Sequence, residues 1–121
     1  MSRAKGQKYE DFAAQYLEQQ GLTILERNYQ CRLGEIDIVA KNNEFVIFIE
    51  VKYRKNNLYG EPFAFVDAKK QRRLILTALH YSQQKRLNEK YPMRFDVISI
   101  QAQNTQFDIQ WLKNAFTTDG F

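Results

Sequence analysis

The chain has 121 residues, of which 44% are hydrophobic and 26% are charged, and its formal net charge at neutral pH is +4. This length predicts a single domain over residues 1–121 with a real hydrophobic core. No apolar stretch approaches the roughly 20 residues that a membrane span needs, and the first residues lack the apolar segment of a secretory signal. The one cysteine, Cys31, excludes an internal disulfide and is typical of the cytoplasm, which is the predicted location.

The positive charge is concentrated in two short segments, KYRK at 52–55 and KKQRR at 69–73. Clustered lysine and arginine side chains favour a polyanionic partner such as nucleic acid. The alternative is that the same side chains only keep the surface soluble. The sequence alone leaves both interpretations open.

The spacing of apolar residues predicts a first helix over residues 5–20, which ends at Gly21. Its apolar face consists of Tyr9, Phe12, Ala13, Tyr16 and Leu17. Glu10 lies beside this face, at the rim of the core, where a carboxylate is less common than on the solvent side. Glu10 is therefore a candidate functional residue.

The rest of the chain predicts a mixed sheet. Five strands are indicated, over residues 22–30, 34–41, 44–54, 94–100 and 107–112. A second helix is predicted over residues 66–87, after a loop at 58–63. The third strand is apolar on both faces up to Phe48, which is typical of a central strand. The order α-β-β-β-α-β-β predicts an α/β fold with helices packed on the sheet.

The third strand ends with Glu50 and Lys52 on one face. With a turn at Asn42–Asn43, Asp37 is predicted to pair with Phe48, which leaves Glu50 on the diagonal at about 7–8 Å. Two carboxylates at this spacing repel each other unless they share a divalent cation. The lack of histidine or cysteine beside them favours Mg²⁺ or Mn²⁺ over zinc. The alternative is a solvent-facing ion pair between Glu50 and Lys52.

Glu35 stands opposite Glu50 in this predicted register. It is either a second metal ligand or a residue at the start of its strand that faces Arg54 or a backbone amide. On the second helix, Lys69, Arg72 and Arg73 are predicted to group on one side.

Asp37 followed by EVK at 50–52 resembles the signature of the PD-(D/E)xK nuclease superfamily. Most of the chain resembles the YraN family of small bacterial proteins, itself similar to archaeal Holliday-junction resolvases. The matching segments are YEDFAAQYL at 9–17, GLTILERNYQCRLGEIDIVA at 21–40, FIEVKYR at 48–54, KKQRRLILTALHYS at 69–82 and RFDVISI at 94–100. Ile36 stands where many members of the superfamily carry proline.

The resemblance implies a restriction-endonuclease-like fold with an acidic metal site. It implies that Asp37, Glu50 and the backbone carbonyl of Val51 bind Mg²⁺ or Mn²⁺, and that Glu10 completes the site. It further implies that Lys52 orients the attacking water or stabilises charge on the phosphate. A more distant match makes Gln71 a supporting polar residue.

The resulting hypothesis is a metal-dependent endonuclease that hydrolyses phosphodiester bonds in DNA, with branched or structured DNA as one substrate class. The residues predicted to contact phosphates are Arg54, Lys69, Arg72 and Arg73. The alternatives are a non-catalytic nucleic-acid-binding module on a nuclease fold and, with less support, a protein-interaction scaffold. Because resolvase relatives act as symmetric dimers, a homodimer is one candidate assembly.

Overall fold

A computed structural model describes residues 3–54, 66–103 and 106–118 of the chain. The elements are α1 Arg3–Gln19, β1 Thr23–Cys31, β2 Gly34–Lys41, β3 Val46–Arg54, α2 Ala68–Gln84, β4 Met93–Gln103 and β5 Gln106–Phe116. This order confirms the predicted α/β fold. The predicted loop at 58–63 lies outside the described residues. Neither helix in the described ranges has the length and apolar composition of a membrane span.

The five strands form one sheet whose spatial order is the same as the chain order, β1-β2-β3-β4-β5. The central strand, β3, pairs antiparallel with β2 and parallel with β4. The edge strands, β1 and β5, each pair antiparallel with their neighbour. A parallel pair needs a long crossover connection, and α2 lies in the connection between β3 and β4. The prediction that the third strand is central is therefore confirmed.

The sheet is covered on both faces, because alternate side chains of β3 point to opposite sides. On one face, Ile47 and Ile49 pack with Ala13 and Leu17 of α1. On the other face, the buried residues of β3 and α2 are Val46, Phe48, Leu74, Ile75, Ala78 and Tyr81. The result is a layered arrangement of helix, sheet and helix, in which α1 packs across several strands and α2 packs chiefly against β2.

Two helix ends are fixed by local hydrogen bonds. After α1, Gly21 adopts a φ of 95° and the Leu22 amide donates to the Leu17 carbonyl at 3.1 Å. This is the left-handed termination for which glycine is suited, and it confirms the predicted stop. At the start of α2, the Asp67 carboxylate accepts from the Lys70 amide at 2.8 Å, as an N-cap does. Asp67 thereby fixes the first turn of α2.

The hairpin between β2 and β3 differs from the predicted one by two residues. Phe48 pairs with Val39 rather than with Asp37. The reason lies in the connection, where the Asn42 amide donates to the Phe45 carbonyl at 3.1 Å and the Asn42 side chain accepts from the Phe45 amide at 2.7 Å. These bonds close a four-residue loop instead of a two-residue turn at Asn42–Asn43. The predicted pairing of Asp37 with Phe48 is wrong.

The corrected register changes which acidic residues are level with each other. Asp37 and Glu50 each lie one residue beyond the last pair of this ladder, Ile38 with Ile49. The predicted register, which places Glu35 opposite Glu50, is therefore not the observed one. The two-residue shift brings Asp37 closer to Glu50 than the predicted diagonal would.

The side-chain alternation of β2 reverses at Asp37. Ile36 packs in the cluster on the α2 face, whereas Ile38 packs in the cluster on the α1 face. Residues two apart in a regular strand share a face, so the strand is twisted between them. In β1, Asn28 lies between the residues that pair with Ile36 and Ile38, and it adopts a left-handed φ of 55°. This local irregularity sets the direction of the Asp37 side chain.

Candidate active site

Four carboxylates from three elements line one cavity of about 210 Å³ at the end of β2 and β3. The residues that line it are Gly6, Tyr9, Glu10, Glu35, Asp37, Glu50, Val51, Tyr53 and Lys70. The structure thus brings together every residue that the resemblance assigns to the metal site, together with Glu35. It also adds a residue that the sequence interpretation missed, Lys70 of α2.

The pKa of Asp37 is strongly shifted in this cavity. Its Oδ2 accepts a hydrogen bond from the Val51 amide at 2.8 Å. Burial, and then the charge of Glu50 and a hydrogen bond with it, raise the pKa of Asp37 to about 8, against the opposing effect of the Val51 amide. In the metal-free protein Asp37 is therefore largely protonated at neutral pH. Such crowding of acids is typical of functional sites.

Glu50 forms an ion pair with a lysine of α2. The Glu50 residue is 6% exposed, and its Oε2 forms an ion pair with Lys70 Nζ. Burial acts against the charged amine, but the hydrogen bond and charge of Glu50, with Asp37 and Glu35, raise the pKa of Lys70 overall. Lys70 was detectable in principle: it precedes the buried Leu74 by one helical turn, so both point toward the sheet.

Glu10 places a third carboxylate at the cavity from α1. Burial raises the pKa of Glu10, while a hydrogen bond from Asn28 and the charge of Arg27 partly offset this effect. Glu10 Oε1 is buried without a hydrogen-bond partner among the described residues. A buried acceptor of this kind is unusual and keeps an unused capacity to accept a donor or a cation.

Two stacked tyrosines form the wall of the cavity between α1 and β3. The rings of Tyr9 and Tyr53 lie 3.9 Å apart and nearly parallel, at 10°. Phe107 of β5 contacts Tyr9 edge-on, with 5.3 Å between centroids. Because Tyr9 precedes Glu10 directly, this packing holds the Glu10 backbone against the end of the sheet.

The remaining predicted residues lie around this cavity. Lys52 is half-buried on β3 and is paired in register with Ser99 of β4. It is not among the described residues that line the cavity. Arg54, two residues further along β3, is also half-buried, whereas Lys69 and Arg72 are exposed on α2. The structure therefore places Lys70 beside Glu50 at this cavity.

A second, larger cavity of about 530 Å³ adjoins the first. It lies between the end of the β1–β2 hairpin and α2, and the described residues that line it are Gln30, Cys31, Gly34, Glu35, Lys70, Arg73 and Leu74. Glu35 and Lys70 line both cavities. A ligand in the larger cavity would thus contact two cations, Lys70 and Arg73, next to the carboxylates.

Gln71 and Glu35, the two predicted supporting residues, have local partners. Gln71 Nε2 donates to the Val66 carbonyl at 2.7 Å, which ties α2 to the residues before it. Gln30 Nε2 donates to Glu35 Oε2 at 3.3 Å. Gln71 does not line either described cavity, whereas Glu35 borders both.

The donor types of the first cavity suit a hard divalent cation, because carboxylate and carbonyl oxygens are the ligands that Mg²⁺ and Mn²⁺ prefer. The unpartnered Glu10 Oε1 fits this reading. Over residues 3–54, 66–103 and 106–118, however, no three His, Cys, Asp or Glu side chains are arranged to hold a metal ion. Mg²⁺ commonly binds through one or two carboxylates and several waters. The candidate ligands are therefore Asp37, Glu50 and the Val51 carbonyl.

Comparison with known proteins identifies relatives over nearly the whole chain. Residues 9–100 match the model of the uncharacterised protein family UPF0102. A UPF0102 protein of Lachnoclostridium phytofermentans is 46% identical over 118 residues, which are 98% of this chain and 97% of the relative. One from Nitrosococcus oceani is 40% identical over 117 residues, or 97% and 94% of the two chains. One from Legionella pneumophila (strain Corby) is 40% identical over 116 residues, or 96% and 97%. The predicted YraN membership is thereby confirmed, and the chain belongs to family UPF0102.

Proposed function

We propose that this protein is a divalent-metal-dependent endonuclease that hydrolyses phosphodiester bonds in DNA. The observation that carries the proposal is the cavity in which Glu10, Asp37 and Glu50 converge, with the pKa of Asp37 raised to about 8. Acidic side chains that are crowded and buried cost folding free energy. A cation that binds between them would recover this cost, which is a reason for a fold to hold them together.

In this proposal each residue of the cavity has a defined task. Asp37, Glu50 and the Val51 carbonyl would hold Mg²⁺ or Mn²⁺, and Glu10 would offer a further acceptor through Oε1. A bound ion of this kind lowers the pKa of a water molecule and screens the negative charge of a phosphate. The Val51 amide, 2.8 Å from Asp37 Oδ2, keeps that carboxyl group in one orientation. Lys52 would orient the attacking water or stabilise the charge that develops on the phosphate.

Binding of DNA would use the positive side chains around the cavity. The residues proposed to contact phosphates are Arg54, Lys69, Arg72 and Arg73. Such contacts read no base sequence and weaken with salt. DNA, branched DNA in particular, and a homodimer are accordingly proposed partners.

The second candidate is a non-catalytic nucleic-acid-binding module on the same fold. The observation in its favour is the ion pair of Lys70 with Glu50, which neutralises one proposed ligand without any metal. Against it stands the charge of the cavity, because carboxylates oppose the binding of phosphate. A protein that only bound DNA would gain affinity by losing them.

The test is a single-turnover cleavage assay on single-stranded, duplex, flap and four-way-junction DNA, with Mg²⁺ or Mn²⁺. Wild type is compared with Asp37→Asn, which removes one proposed ligand and keeps the side-chain shape. Metal-dependent cleavage that disappears in Asp37→Asn is the expected result. Equal cleavage by both proteins would mean a contaminant or another site. DNA binding in calcium, together with no cleavage of any substrate in Mg²⁺ or Mn²⁺, would favour the binding module.

A further inference from the structure

Lys70 lies between the two cavities and is shared by both. Its backbone is fixed in the first turn of α2 by the Asp67 cap. Its Nζ forms the ion pair with Glu50 Oε2, yet 49% of the Lys70 side chain is exposed, against 7% of the Glu50 side chain. One partner of this pair is thus held in the protein, while the other reaches it from solvent.

We propose that Lys70 is an exchangeable internal cation. Its amine holds the position on Glu50 that a divalent cation takes, and it moves into the larger cavity to contact a DNA phosphate when that cation binds. The inference rests on the proposed metal site and adds a residue and an order of events to it. Lys70 is a positioning residue in this scheme, because it acts through Glu50.

The need for a cation at Glu50 follows from its burial. An ionised carboxylate that is almost completely buried requires a positive partner, and loss of that partner is strongly destabilising. Among the described residues, no three His, Cys, Asp or Glu side chains are arranged to hold a metal ion. The positive charge beside Glu50 is supplied by the amine of Lys70. Lysine suits this task, since its ammonium is a compact point charge on a flexible stem.

The exchange is possible because the larger cavity offers the amine a second place. Lys70 and Arg73 are spaced by three residues on α2 and both line that cavity. A phosphate bound there would attract the Lys70 amine away from Glu50. A divalent cation at Glu50 would release the amine toward the phosphate. Each ligand therefore favours the other, and by linkage the effect on the two affinities is equal.

The first test measures Mn²⁺ binding by calorimetry, without DNA and without reference to cleavage. Lys70→Met removes the competing cation, so Mn²⁺ affinity is expected to rise about tenfold above that of wild type. Lys69→Met is the matched control, because Lys69 is the adjacent exposed lysine and its loss changes the net charge equally. Lys70→Arg keeps a cation at Glu50 and is expected to give no rise.

A second variant guards against misfolding of Lys70→Met, in which Glu50 loses its partner. Lys70→Gln keeps a hydrogen-bond donor for Glu50 and removes the charge, and it is expected to show the same rise. Mn²⁺ affinity that is unchanged, weaker or absent in both uncharged variants would overturn the inference. A rise that equals that of Lys69→Met would do so too, because it would reflect net charge alone.

The second test measures the coupling itself. Binding of a short DNA duplex is measured with and without calcium in Lys70→Met and in Lys69→Met. The improvement in DNA affinity caused by calcium is expected to be about fivefold smaller in Lys70→Met than in Lys69→Met, because no amine is released toward the phosphate. Equal improvement in both variants would refute the exchange.

The outcomes separate this inference from the proposed nuclease activity. A rise in Mn²⁺ affinity in Lys70→Met, with no DNA cleavage by wild type, would uphold the exchange and count against the enzyme. Cleavage by wild type, with unchanged Mn²⁺ affinity in both uncharged variants, would uphold the enzyme and remove the role of Lys70.

Discussion

Two aspartates of the same sheet, the buried Asp96 and the half-buried Asp37, lie in opposite electrostatic surroundings. Asp96 of β4 is 1% exposed. Arg94 donates to both of its oxygens, at 3.0 and 2.8 Å, the Trp111 indole donates at 2.9 Å and the Asn114 amide at 2.9 Å. Asp96 therefore has an arginine as counter-ion and donors on each oxygen, as a structural buried charge requires.

Asp37 has a backbone donor, the Val51 amide, but faces two further acids. Glu50 and Glu10 both raise its pKa, in addition to burial. The fold thus supplies Asp96 with a counter-ion and hydrogen-bond donors. The negative charge around Asp37 still has to be balanced by a proton, a lysine or a metal ion. The difference shows that Asp96 links β4 to β5, and it makes Asp37 the candidate for the proposed chemistry.

The largest expected effect comes from breaking the Asp96 network. Asp96→Ala leaves Arg94 without its counter-ion and the Trp111 and Asn114 donors without an acceptor. We expect a loss of about 3–5 kcal/mol in the free energy of unfolding. Urea denaturation measures it, with Asp108→Ala on the exposed side of β5 as the control. A loss under about 1 kcal/mol would show that Asp96 is not the structural acid of the pair.

The second prediction concerns chemistry at the Asp37 end. If the proposed mechanism holds, Lys52→Ala removes an interaction made mainly in the transition state. Single-turnover cleavage should fall about 10²-fold or more, while DNA binding in calcium changes little. Lys90→Ala removes an exposed lysine that is not among the proposed phosphate contacts and should keep nearly full cleavage. A full cleavage rate in Lys52→Ala would reassign the catalytic lysine.

The third prediction contrasts the two aspartates through pH. The pKa of Asp37 is about 8 in the folded protein, above its ordinary value of 3.8. Between these values the unfolded chain ionises and the folded one does not, so this group's stabilising contribution is present below pH ~4 and lost as pH rises toward ~8. Asp37→Asn, which does not titrate, should be about 1–3 kcal/mol more stable than metal-free wild type near pH 8. The two should be nearly equal near pH 4.

The measurement for this prediction is urea denaturation across that pH range without divalent ions. Asp11→Asn is the control, because hydrogen bonds from Arg27 and Gln7 lower the pKa of Asp11. The stability contribution of Asp11 is lost only below its ordinary pKa, so the difference between Asp11→Asn and wild type should stay constant from pH ~4 to ~8. A stability difference between wild type and Asp37→Asn that did not vary with pH would mean that Asp37 is ionised throughout.

The smallest effect is expected from charge reversal at two arginines of α2, one of which, Arg73, lines the larger cavity. Reversal of Arg72 and Arg73 to glutamate should weaken DNA binding about tenfold for all sequences alike, and reduce the salt slope by about one per arginine. Lys90→Glu, an exposed change before β4 and far along the chain from α2's first turns, is the control. Binding that does not respond to salt would contradict an electrostatic DNA surface.

The sequence was sufficient for the element order and for the membership of the acidic cavity. Strand alternation indicated that Asp37 and Glu50 share a face, and the apolar face of α1 put Glu10 at the rim of the core. That Glu10 joins the other two acids was implied by the family resemblance. An error of two residues in register left this grouping intact, since side chains two apart share a face. The error itself arose from the Asn42 hydrogen bonds, which a dipeptide motif does not reveal.

Contacts between distant elements were not predictable in the same way. Lys70 reaches Glu50 from a different element. Its spacing from Leu74 indicates that it faces the sheet, but not which acid it meets there. The Asp96 network depends on an irregularity in the pairing of β4 with β5, which brings the Asn114 amide to the carboxylate. Both arrangements depend on tertiary geometry that no local pattern encodes.

Because the strands pair in chain order, the acids of the site can assemble before their counter-ion is present. Residues 3–54 contain α1 and the β1–β3 meander, whose contacts are mostly local and form early in folding. Lys70 follows on α2, and β4 must then close a longer loop onto β3. On a ribosome, Glu10, Asp37 and Glu50 would therefore meet first as an uncompensated acidic cluster. We expect the N-terminal half to be acid-stabilised and cation-sensitive as a nascent chain, and to lose that sensitivity once α2 has packed.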